Sequence, residues 1–489
     1  MKFCDAFNNV GRTINGALTN ASSGSALLNL FSIAGASRGM TENQILTAFH
    51  KAWKESPQLA LKILFQARDI HQGRGERRFF RTIFAKLTDY LDNETVFELC
   101  RYIEDFGRFD DLFVSPIGQR FAIEVLKYAN KGGNVSGLFF KWYPRKGKMF
   151  KSGQIALGMT AKEFRKFLVS RTNVVETKMC AKDWDNIVLK QVPSLAIHKY
   201  KAAFSRHIDS FGEAVKKGEI KQTHITPTHL VYDAVGDNIP FYSHTNWERF
   251  KINNAEQIEI ANNMWKRLGE NFPIDFNGNS FIPVCDVSGS MTDSRYSGSV
   301  KPIHSSIGLS LFLAENQKGP FKDLILSFSS DPFFIEVDSN DTLVNNIGTI
   351  ISSEIGYSTN IQKTFEVLLD KAVAGNVAPE DMPKTMIIFS DMEFNYSAIE
   401  GKSVKALNAI KKMYANAGYT CPKLVFWNLN ARPNNFPAMD SDTGAILYSG
   451  FSPRMVTEIL SAPADATPFD FMLSALNTER LSFIDELIS

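Results

Sequence analysis

The chain has 489 residues, of which 44% are hydrophobic and 22% are charged, and its formal net charge is +2. This length exceeds a single hydrophobic core, so we expect two to four domains of the composition typical of soluble globular proteins. No stretch approaches the ~18 apolar residues of a membrane helix, and the first ten residues lack the apolar segment of a signal peptide, so no membrane partner is expected.

The cysteines indicate a reducing compartment. They are scattered, odd in number and never arranged as a CxxC pair, which predicts free thiols in a cytoplasmic protein and argues against structural zinc. The five residues are Cys4, Cys100, Cys180, Cys285 and Cys421.

Charge is distributed unevenly along the chain. Residues 276–489 carry 15 basic and 24 acidic side chains, a net of −9, whereas residues 1–275 carry 39 and 28, a net of +11. The positive excess suggests a polyanionic partner for the first part. Ordinary solvated helix faces are the alternative explanation.

The first part of the chain has the pattern of successive helices. Residues 1–40, rich in small side chains, are expected to form a mobile or packed lead-in rather than a domain. Thr41 and Gln44 then form a capping box, followed by apolar residues at helical spacing. Gly and Pro residues separate the helices predicted after this one. The next helix begins at Pro57, and the others cover residues 76–87, 94–103, 118–130, 161–169 and 195–217. Short consecutive helices favour an α-solenoid of HEAT-like hairpins over residues 1–275, although no fixed repeat period is present.

The first of two basic clusters covers residues 67–81. Arg74 lies between two glycines at a predicted helix start, where its backbone amides and its guanidinium can both face a phosphate. The alternative is a set of internal salt bridges formed by Arg68 with Asp69 and by Glu76 with an arginine. The candidate phosphate-binding residues of this cluster are Arg68, His71, Arg74 and Arg77.

The second basic cluster is a predicted helix within residues 193–207. At about 100° per residue, its apolar and aromatic side chains fall opposite its cations and hydroxyls. A solvated face normally includes acids, so this helix favours contact with nucleic-acid phosphates. The loop at 141–151 interleaves cations with aromatics, which suits stacking on unpaired bases, although a mobile surface loop explains it equally well. The candidate residues of the helix and the loop are Lys146, His198, Lys199, Lys201 and Arg206.

From about residue 276, after a turn-rich boundary at 271–280, strands alternate with helices. The predicted strands are 281–285, 324–328, 333–337, 385–389, 424–428 and 445–448. The predicted helices are 302–316, 342–352, 361–374, 403–417, 453–460 and 468–476. This alternation predicts a doubly wound, Rossmann-like α/β domain over residues 276–489.

A run of oxygen-bearing side chains follows the first predicted strand of this domain. Asp286, Ser288 and Ser290 lie on a loop at the carboxyl end of that strand, where open α/β sheets bind ligands. One carboxylate and two hydroxyls suit Mg²⁺, which prefers oxygen ligands. The alternative is that Asp286 and Ser288 cap the following helix, but this leaves unexplained a second buried strand that ends in Asp391.

The Asp-x-Ser-x-Ser pattern resembles the metal-ion-dependent adhesion site (MIDAS) of von Willebrand factor A (vWA) domains. Two further segments, 356–360 and 386–391, match the family in the right order. The resemblance implies that Thr359 supplies a further hydroxyl and Asp391 the last ligand to Mg²⁺ or another divalent cation. It also implies that an open coordination position accepts a carboxylate from a protein partner.

Three segments of the first part, 68–77, 107–112 and 192–196, resemble the helical-repeat module of the Ro ribonucleoprotein (TROVE) family. They resemble still more closely a poorly characterised viral, bacterial and plant family that joins such a module to a vWA domain. The resemblance covers most of the chain. It implies a ring or arc of helical repeats, completed by the vWA domain, whose basic surface binds structured or misfolded small RNA.

The sequence contains no convincing catalytic set. Cys285 lies in a buried strand and is expected to belong to the core, and His224 and His229 fit capped turns better than a metal pair. We therefore expect an RNA-binding ribonucleoprotein component rather than an enzyme. The alternative is a metal-dependent protein–protein interaction scaffold that binds no nucleic acid.

Overall fold

The computed structural model describes residues 9–221, 224–237, 239, 255–272, 274, 278–292, 300–353, 360–394 and 403–488. Its chain divides into two compact units. We call residues 64–224 the helical unit, and residues 9–63 together with residues 225–488 the sheet unit. Within the described ranges, no helix has the length and apolar character needed to cross a membrane.

The described part of the chain opens with a short antiparallel hairpin and three helices. Thr41 accepts a hydrogen bond from the backbone of Gln44, which confirms the predicted capping box. The division between the two units falls within the last of these helices. The elements are β1 (Val10–Arg12), β2 (Leu18–Asn20), α1 (Ala26–Ala34), α2 (Glu42–Glu55) and α3 (Pro57–Arg68).

The helical unit consists of short helices that bury aromatic side chains. Phe65, for example, packs edge-on against Phe80 and Phe106 at centroid distances of 5.5 and 5.4 Å. Each such pair stabilises the fold by about 0.5–1.5 kcal/mol beyond the contribution of the apolar area that it buries. The helices are α4 (Arg77–Phe84), α5 (Asn93–Leu99), α6 (Ile103–Phe106), α7 (Pro116–Asn130), α8 (Gly137–Trp142), α9 (Gly147–Ala156), α10 (Ala161–Ser170), α11 (Val175–Cys180), α12 (Ser194–His207) and α13 (Phe211–Lys216).

Two of the predicted helices are interrupted in the structure. The helix predicted for 195–217 is divided into α12 and α13, because Ile208 adopts an extended conformation and ends α12. Asp209 and Ser210, which favour turns and caps over helix interiors, follow it. The helix predicted for 94–103 is similarly divided into α5, a 3₁₀ turn at Cys100–Tyr102 and α6.

The sheet unit contains the strand–helix alternation that the sequence predicts. The first strand occupies Phe281–Cys285 and is buried along its whole length, as expected for an apolar strand inside a parallel sheet. Beyond α3, its elements are α14 (Pro227–Val235), α15 (Ala255–Lys266), α16 (Leu268–Asn271), β3 (Phe281–Cys285), α17 (Pro302–Asn316), β4 (Leu324–Ser327), β5 (Phe334–Glu336), α18 (Leu343–Ser352), α19 (Ile361–Ala374), β6 (Thr385–Ser390), α20 (Ser403–Asn416), β7 (Lys423–Asn428), β8 (Ala445–Ser449), α21 (Val456–Ser461), α22 (Pro468–Leu476) and α23 (Phe483–Leu487).

The strands β3 to β8 form a six-stranded sheet in the order β5-β4-β3-β6-β7-β8. All neighbouring pairs are parallel except β4 with β5, which is antiparallel. After β3 the chain adds strands on one side of it, β4 and then β5, and from β6 onward it adds strands on the other side. The direction in which the sheet grows therefore reverses between β3 and β6. Ligands of open α/β sheets bind at such a reversal, outside the carboxyl ends of the strands.

Residues 9–40 are a packed part of the sheet unit. Helix α1 is buried on most of its surface and packs against β8 and α22. Phe31 of α1 contacts Tyr448 and Phe471 edge-on, at 6.2 and 6.3 Å between ring centroids. The small residues between β2 and α1 therefore form a packed turn, since Ser25 accepts a hydrogen bond from Leu28 at the start of α1.

Glu315, near the end of α17, gives the sheet unit a testable pH dependence. Its carboxylate accepts hydrogen bonds from Trp265 at 2.6 Å and from Asn346 at 2.8 Å. Burial nevertheless raises its pKa from 4.5 to about 7. The folded protein binds the Glu315 proton more tightly than the unfolded chain does. Protonation of Glu315 therefore stabilises the fold fully below pH 4.5, and this stabilisation is lost as pH rises through 7. Unfolding free energy should fall by about 2–3 kcal/mol between pH 5 and 8 from this group.

The variant Glu315→Gln is uncharged at every pH and should lack that part of the pH dependence. Urea titrations of both proteins at pH 5 and pH 8, followed by tryptophan fluorescence, measure the difference. Parallel pH profiles for the wild type and the variant would contradict the assignment.

Candidate functional site

The carboxyl ends of β3 and β6 bring two aspartates together. Asp286 follows β3 directly, and Asp391 follows β6 directly. The two strands are parallel neighbours in register, with Cys285 opposite Phe389, so the chain places both carboxylates at the same edge of the sheet. This edge is the one at which the strand order reverses.

The loop after β3 adds two hydroxyl groups. The backbone amide of Ser288 donates to Asp286 at 2.9 Å, which turns the loop back over the strand end. The hydroxyls of Ser288 and Ser290 are 3.2 Å apart, and the Ser290 hydroxyl lies close enough to Asp391 to lower the pKa of its carboxyl group. Four of the five predicted ligands, Asp286, Ser288, Ser290 and Asp391, are therefore clustered, whereas Thr359 lies outside the described residues.

The electrostatics of this cluster are unfavourable without a cation. Asp286 and Asp391 are only 0% and 2% exposed. Burial raises the pKa of Asp286, and hydrogen bonds from Ser288 and Ser390 only partly offset it. Burial, and then the neighbouring charge of Asp286, also raise the pKa of Asp391. Among the described residues, no Lys or Arg forms an ion pair with either carboxylate.

The residues present fit a hard divalent cation. One carboxylate oxygen of Asp391, Oδ2, is buried and has no hydrogen-bond partner among the described residues, a costly arrangement that a bound cation would relieve. The donors are all oxygens, as Mg²⁺ requires. The described part of the chain contains no cluster of three or more His, Cys, Asp or Glu side chains able to hold a metal, so the hydroxyls are needed to complete such a site.

The neighbouring Cys285 belongs to the core, as the sequence predicts. Its thiol is buried and lies 3.4 Å from the hydroxyl of Ser306. Burial raises its pKa to about 11, so the thiol is protonated at neutral pH. His229 caps α14 through Thr226, which confirms its expected capping role.

The basic residues of the first cluster face in different directions. Arg68 is buried, donates to Asp111 through Nε at 2.8 Å and has a second guanidinium nitrogen 2.7 Å from the same carboxylate. The predicted phosphate contact of Arg68 is thus corrected to an internal salt bridge, and its partner is Asp111 instead of the adjacent Asp69. The carboxylate lies 43 positions away along the chain, which explains why local sequence could not identify it.

The glycine-flanked Arg74 is also directed inward. It is 7% exposed, and the backbone amides of residues 74–76 donate to carbonyl groups at the end of α3. Those amides cap a helix and are unavailable to a phosphate, contrary to the prediction. His71 and Arg77, by contrast, are exposed. His71 packs edge-on against His224 at 5.4 Å. Although Arg77 is exposed, incomplete hydration of its guanidinium and the positive charges of Arg108 and Arg81 lower its pKa.

The second cluster has the predicted two-sided character. Ile197 and Phe204 of α12 are fully buried, which confirms its apolar face. On the other side Lys199 and Arg206 are exposed, while His198 and Lys201 are half-buried. Helix α12 contains no acidic residue. Lys146, at the start of α9, is also exposed.

The division into units sharpens the charge asymmetry. The helical unit contains 29 Lys and Arg against 18 Asp and Glu, a net of +11. The remainder of the chain contains 25 and 34, a net of −9. The whole positive excess of the protein therefore lies in residues 64–224, where the exposed candidates His71, Arg77, Lys146, Lys199 and Arg206 lie.

Two families of unknown function match the chain. Residues 280–469 match Domain of unknown function (DUF7788), and residues 13–90 and 154–272 match Domain of unknown function (DUF2828). The uncharacterized protein L728 of Acanthamoeba polyphaga mimivirus is 25% identical over 514 residues, which cover 96% of this chain and 87% of the viral protein. The crystal structure of the Deinococcus radiodurans RO (RSR) protein matches 90% of this chain and 99% of that chain, with 13% identity and a TM-score of 0.42.

Sequence reasoning missed the residues that hold the Asp391 segment in place. Ser390 donates to Asp286 at 2.6 Å and accepts from the backbone of Met392 at 3.1 Å. Met392 has a φ of 63°, in the left-handed region that non-glycine residues rarely adopt. Glu393, 3% exposed, donates its backbone amide to Asp391. Of these residues, only Ser390 could have been found from the sequence, because it places a hydroxyl group at the end of a buried strand, directly before Asp391.

Proposed function

We propose that this protein is an RNA-binding component of a ribonucleoprotein. In this proposal the basic helical unit binds structured or misfolded small RNA, and the sheet unit is a vWA domain that holds Mg²⁺ at a MIDAS. The role of the cation is to bind a carboxylate of a protein partner and involves no catalytic step. The observation that carries the RNA assignment is the acid-free helix α12 on a unit with a net charge of +11.

The form of α12 favours a nucleic acid over a small anion. Its buried apolar side anchors the helix, while Lys199 and Arg206 are exposed. Contacts from several such cations to a phosphate backbone supply most of the affinity of proteins that bind without reading sequence. Trp184 stacks on His207 at the end of the helix, at 4.5 Å, which places an aromatic pair beside the cations.

Binding of a structured small RNA should therefore depend steeply on salt. For about four phosphate contacts, affinity is expected to fall about 10²-fold between 50 and 200 mM salt, since log affinity falls by about 0.9 per contact per decade of salt. Filter binding or fluorescence anisotropy with the full chain and a labelled hairpin RNA measures this slope. The nucleic-acid content of the purified protein at low and high salt provides an independent check.

The absence of binding at low salt would refute the RNA assignment. The remaining cation-dependent role, a protein–protein scaffold, is favoured by a separate observation, the clustering of Asp286, Ser288, Ser290 and Asp391. Partner binding that survives high salt but is abolished by EDTA would identify that scaffold.

The cation site itself predicts a crossover in stability. Mg²⁺ should raise the melting temperature of the wild type by several degrees, because a ligand at about a hundred times its Kd adds about 3 kcal/mol. The variant Asp391→Asn should be insensitive to Mg²⁺, yet more stable than the wild type in EDTA, because it removes one of two buried like charges. Melting of both proteins with Mg²⁺ and with EDTA measures the crossover. An equal Mg²⁺ response in the two proteins would exclude Asp391 as a ligand.

A further inference from the structure

The turn of the N-terminal hairpin is hydrogen-bonded to the segment that follows Asp391. We call residues 13–15, between β1 and β2, the hairpin turn. The hydroxyl of Thr13 donates to the carbonyl of Phe394 at 2.6 Å, and the amide side chain of Asn15 donates to the carbonyl of Glu393 at 2.6 Å. The backbone amide of Ile14 donates to the Glu393 carboxylate at 2.5 Å. Three consecutive residues of the hairpin thus contact two consecutive residues of the segment.

Glu393 lies between the hairpin turn and the candidate ligand. Besides Ile14, its buried carboxylate accepts from Asn435 at 3.0 Å and pairs with Arg432 at 3.2 Å. Its backbone amide donates to Oδ1 of Asp391 at 3.2 Å. A continuous chain of hydrogen bonds therefore runs from the hairpin turn, through Glu393, to one carboxylate oxygen of Asp391, while the other oxygen, Oδ2, has no partner among the described residues.

The segment between them is held in a conformation that needs support. Met392 adopts the left-handed φ, which is unfavourable for its side chain. Its carbonyl accepts a hydrogen bond from the Asn435 side chain at 2.9 Å, and its amide donates to the Ser390 hydroxyl at 3.1 Å. Such a conformation persists only where the surrounding contacts determine it, so loss of the hairpin contacts would allow residues 391–394 to relax.

We propose that docking of the hairpin turn onto residues 393–394 and binding of a divalent cation by Asp286 and Asp391 are coupled, with Glu393 as the positioning residue. This inference rests on the cation site proposed above. A docked hairpin fixes the Glu393 amide and with it the orientation of the Asp391 carboxylate toward the cation. Because coupling between two binding equilibria is reciprocal, a bound cation must stabilise the docked hairpin by the same factor.

Hydrogen exchange of the wild-type chain tests the reciprocal half of the coupling without any substitution. Peptides that cover residues 9–21 are compared in saturating Mg²⁺ and in EDTA. Coupling predicts exchange about tenfold slower in Mg²⁺ for the amides of the hairpin turn, within the range usual for coupled sites. A peptide from α7 in the helical unit provides the internal reference.

A hairpin variant tests the direct half. Thr13→Val/Asn15→Ala removes two hydrogen bonds to residues 393–394, together with the bond from the Ala17 amide to Thr13 inside the hairpin, and alters no candidate ligand. Its Mg²⁺ affinity, measured by calorimetry, is therefore expected to fall about tenfold. The matched control is Ile14→Ala on the same turn. The Ile14 side chain is 70% exposed, and its contact with Glu393 is made by the backbone, so the control should bind Mg²⁺ as the wild type does.

Two results would overturn the coupling in distinguishable ways. If Mg²⁺ binds the wild type and the double variant equally and leaves hairpin exchange unchanged, the cation site stands and the coupling is wrong. If Mg²⁺ does not bind the wild type, the proposed cation site fails and the coupling fails with it. Should the double variant not fold, the exchange rates of the wild type alone still decide the question.

Discussion

Replacing Asp111 by asparagine is expected to destabilise the helical unit by about 3–5 kcal/mol, enough to unfold much of it at 37 °C. Asp111 is fully buried and pairs with two arginines, Arg68 through Oδ2 at 2.7 Å and Arg81 through Oδ1 at 2.5 Å. Asparagine has almost the same volume but no charge, so the variant leaves the buried Arg68 guanidinium without a counterion. Removing one member of a buried ion pair is costly for this reason.

The wider network explains why the effect should be large. Asp110 lies beside Asp111 and pairs with Arg81 and Arg108. Burial opposes its ionisation, but hydrogen bonds from these two arginines outweigh burial and lower its pKa to about 2. Gly107 is required beside the pair, since a Cβ there would lie 2.6 Å from the Asp111 carboxylate. The motif at 107–112 is thus accounted for by packing around one buried charge.

Urea unfolding followed by circular dichroism, together with hydrogen exchange of peptides from residues 64–221, measures the loss and locates it. The matched control is Glu98→Gln, which removes the ion pair with Arg101 on exposed side chains. Exposed pairs contribute about 0–1 kcal/mol, so this control should hardly change stability. Equal stabilities of Asp111→Asn and Glu98→Gln would show that the buried network does not stabilise the fold.

Charge reversal on α12 is expected to weaken RNA binding by about 10²–10³-fold at 100 mM salt and to flatten its salt dependence by about one unit of slope per lost contact. The variant is Lys199→Glu/Lys201→Glu/Arg206→Glu. Its fold should persist, because Lys199 and Arg206 are exposed, Lys201 is only half-buried, and the buried anchors of the helix, Ile197 and Phe204, are untouched. Anisotropy titrations over a range of salt concentrations measure both effects.

The control reverses three exposed lysines of the sheet unit, as Lys51→Glu/Lys54→Glu/Lys371→Glu. This protein has the same change in net charge, so it separates a local contact from long-range attraction. The control should lose far less affinity than the α12 variant. If both proteins lose affinity equally, general electrostatics and not α12 accounts for binding. If neither loses affinity, the RNA surface lies elsewhere.

Local patterns predicted most of the regular elements because their causes are local. The apolar run 281–285 gave β3 with its observed bounds, and the same holds for helices α17, α19 and α22. Parallel strands that alternate with helices place their carboxyl ends at one edge of the sheet, so the proximity of Asp286 and Asp391 could be predicted. The two strand ends are nevertheless far apart along the chain: Ser390, the residue before Asp391, lies 104 positions after its hydrogen-bond partner Asp286. These predictions needed only periodicity and the known geometry of α/β sheets.

The sequence alone thus determined which segments form helices and strands, which strand ends carry oxygen-bearing side chains, and which part of the chain is basic. Only the tertiary structure decided which Lys and Arg side chains are accessible, because a charged side chain is buried or exposed according to partners that are far away in sequence. Arg68 is internal because Asp111 reaches it across 43 positions, and the hairpin turn contacts Glu393 across 379 positions. No local pattern encodes such pairs, since each depends on how separately formed elements pack.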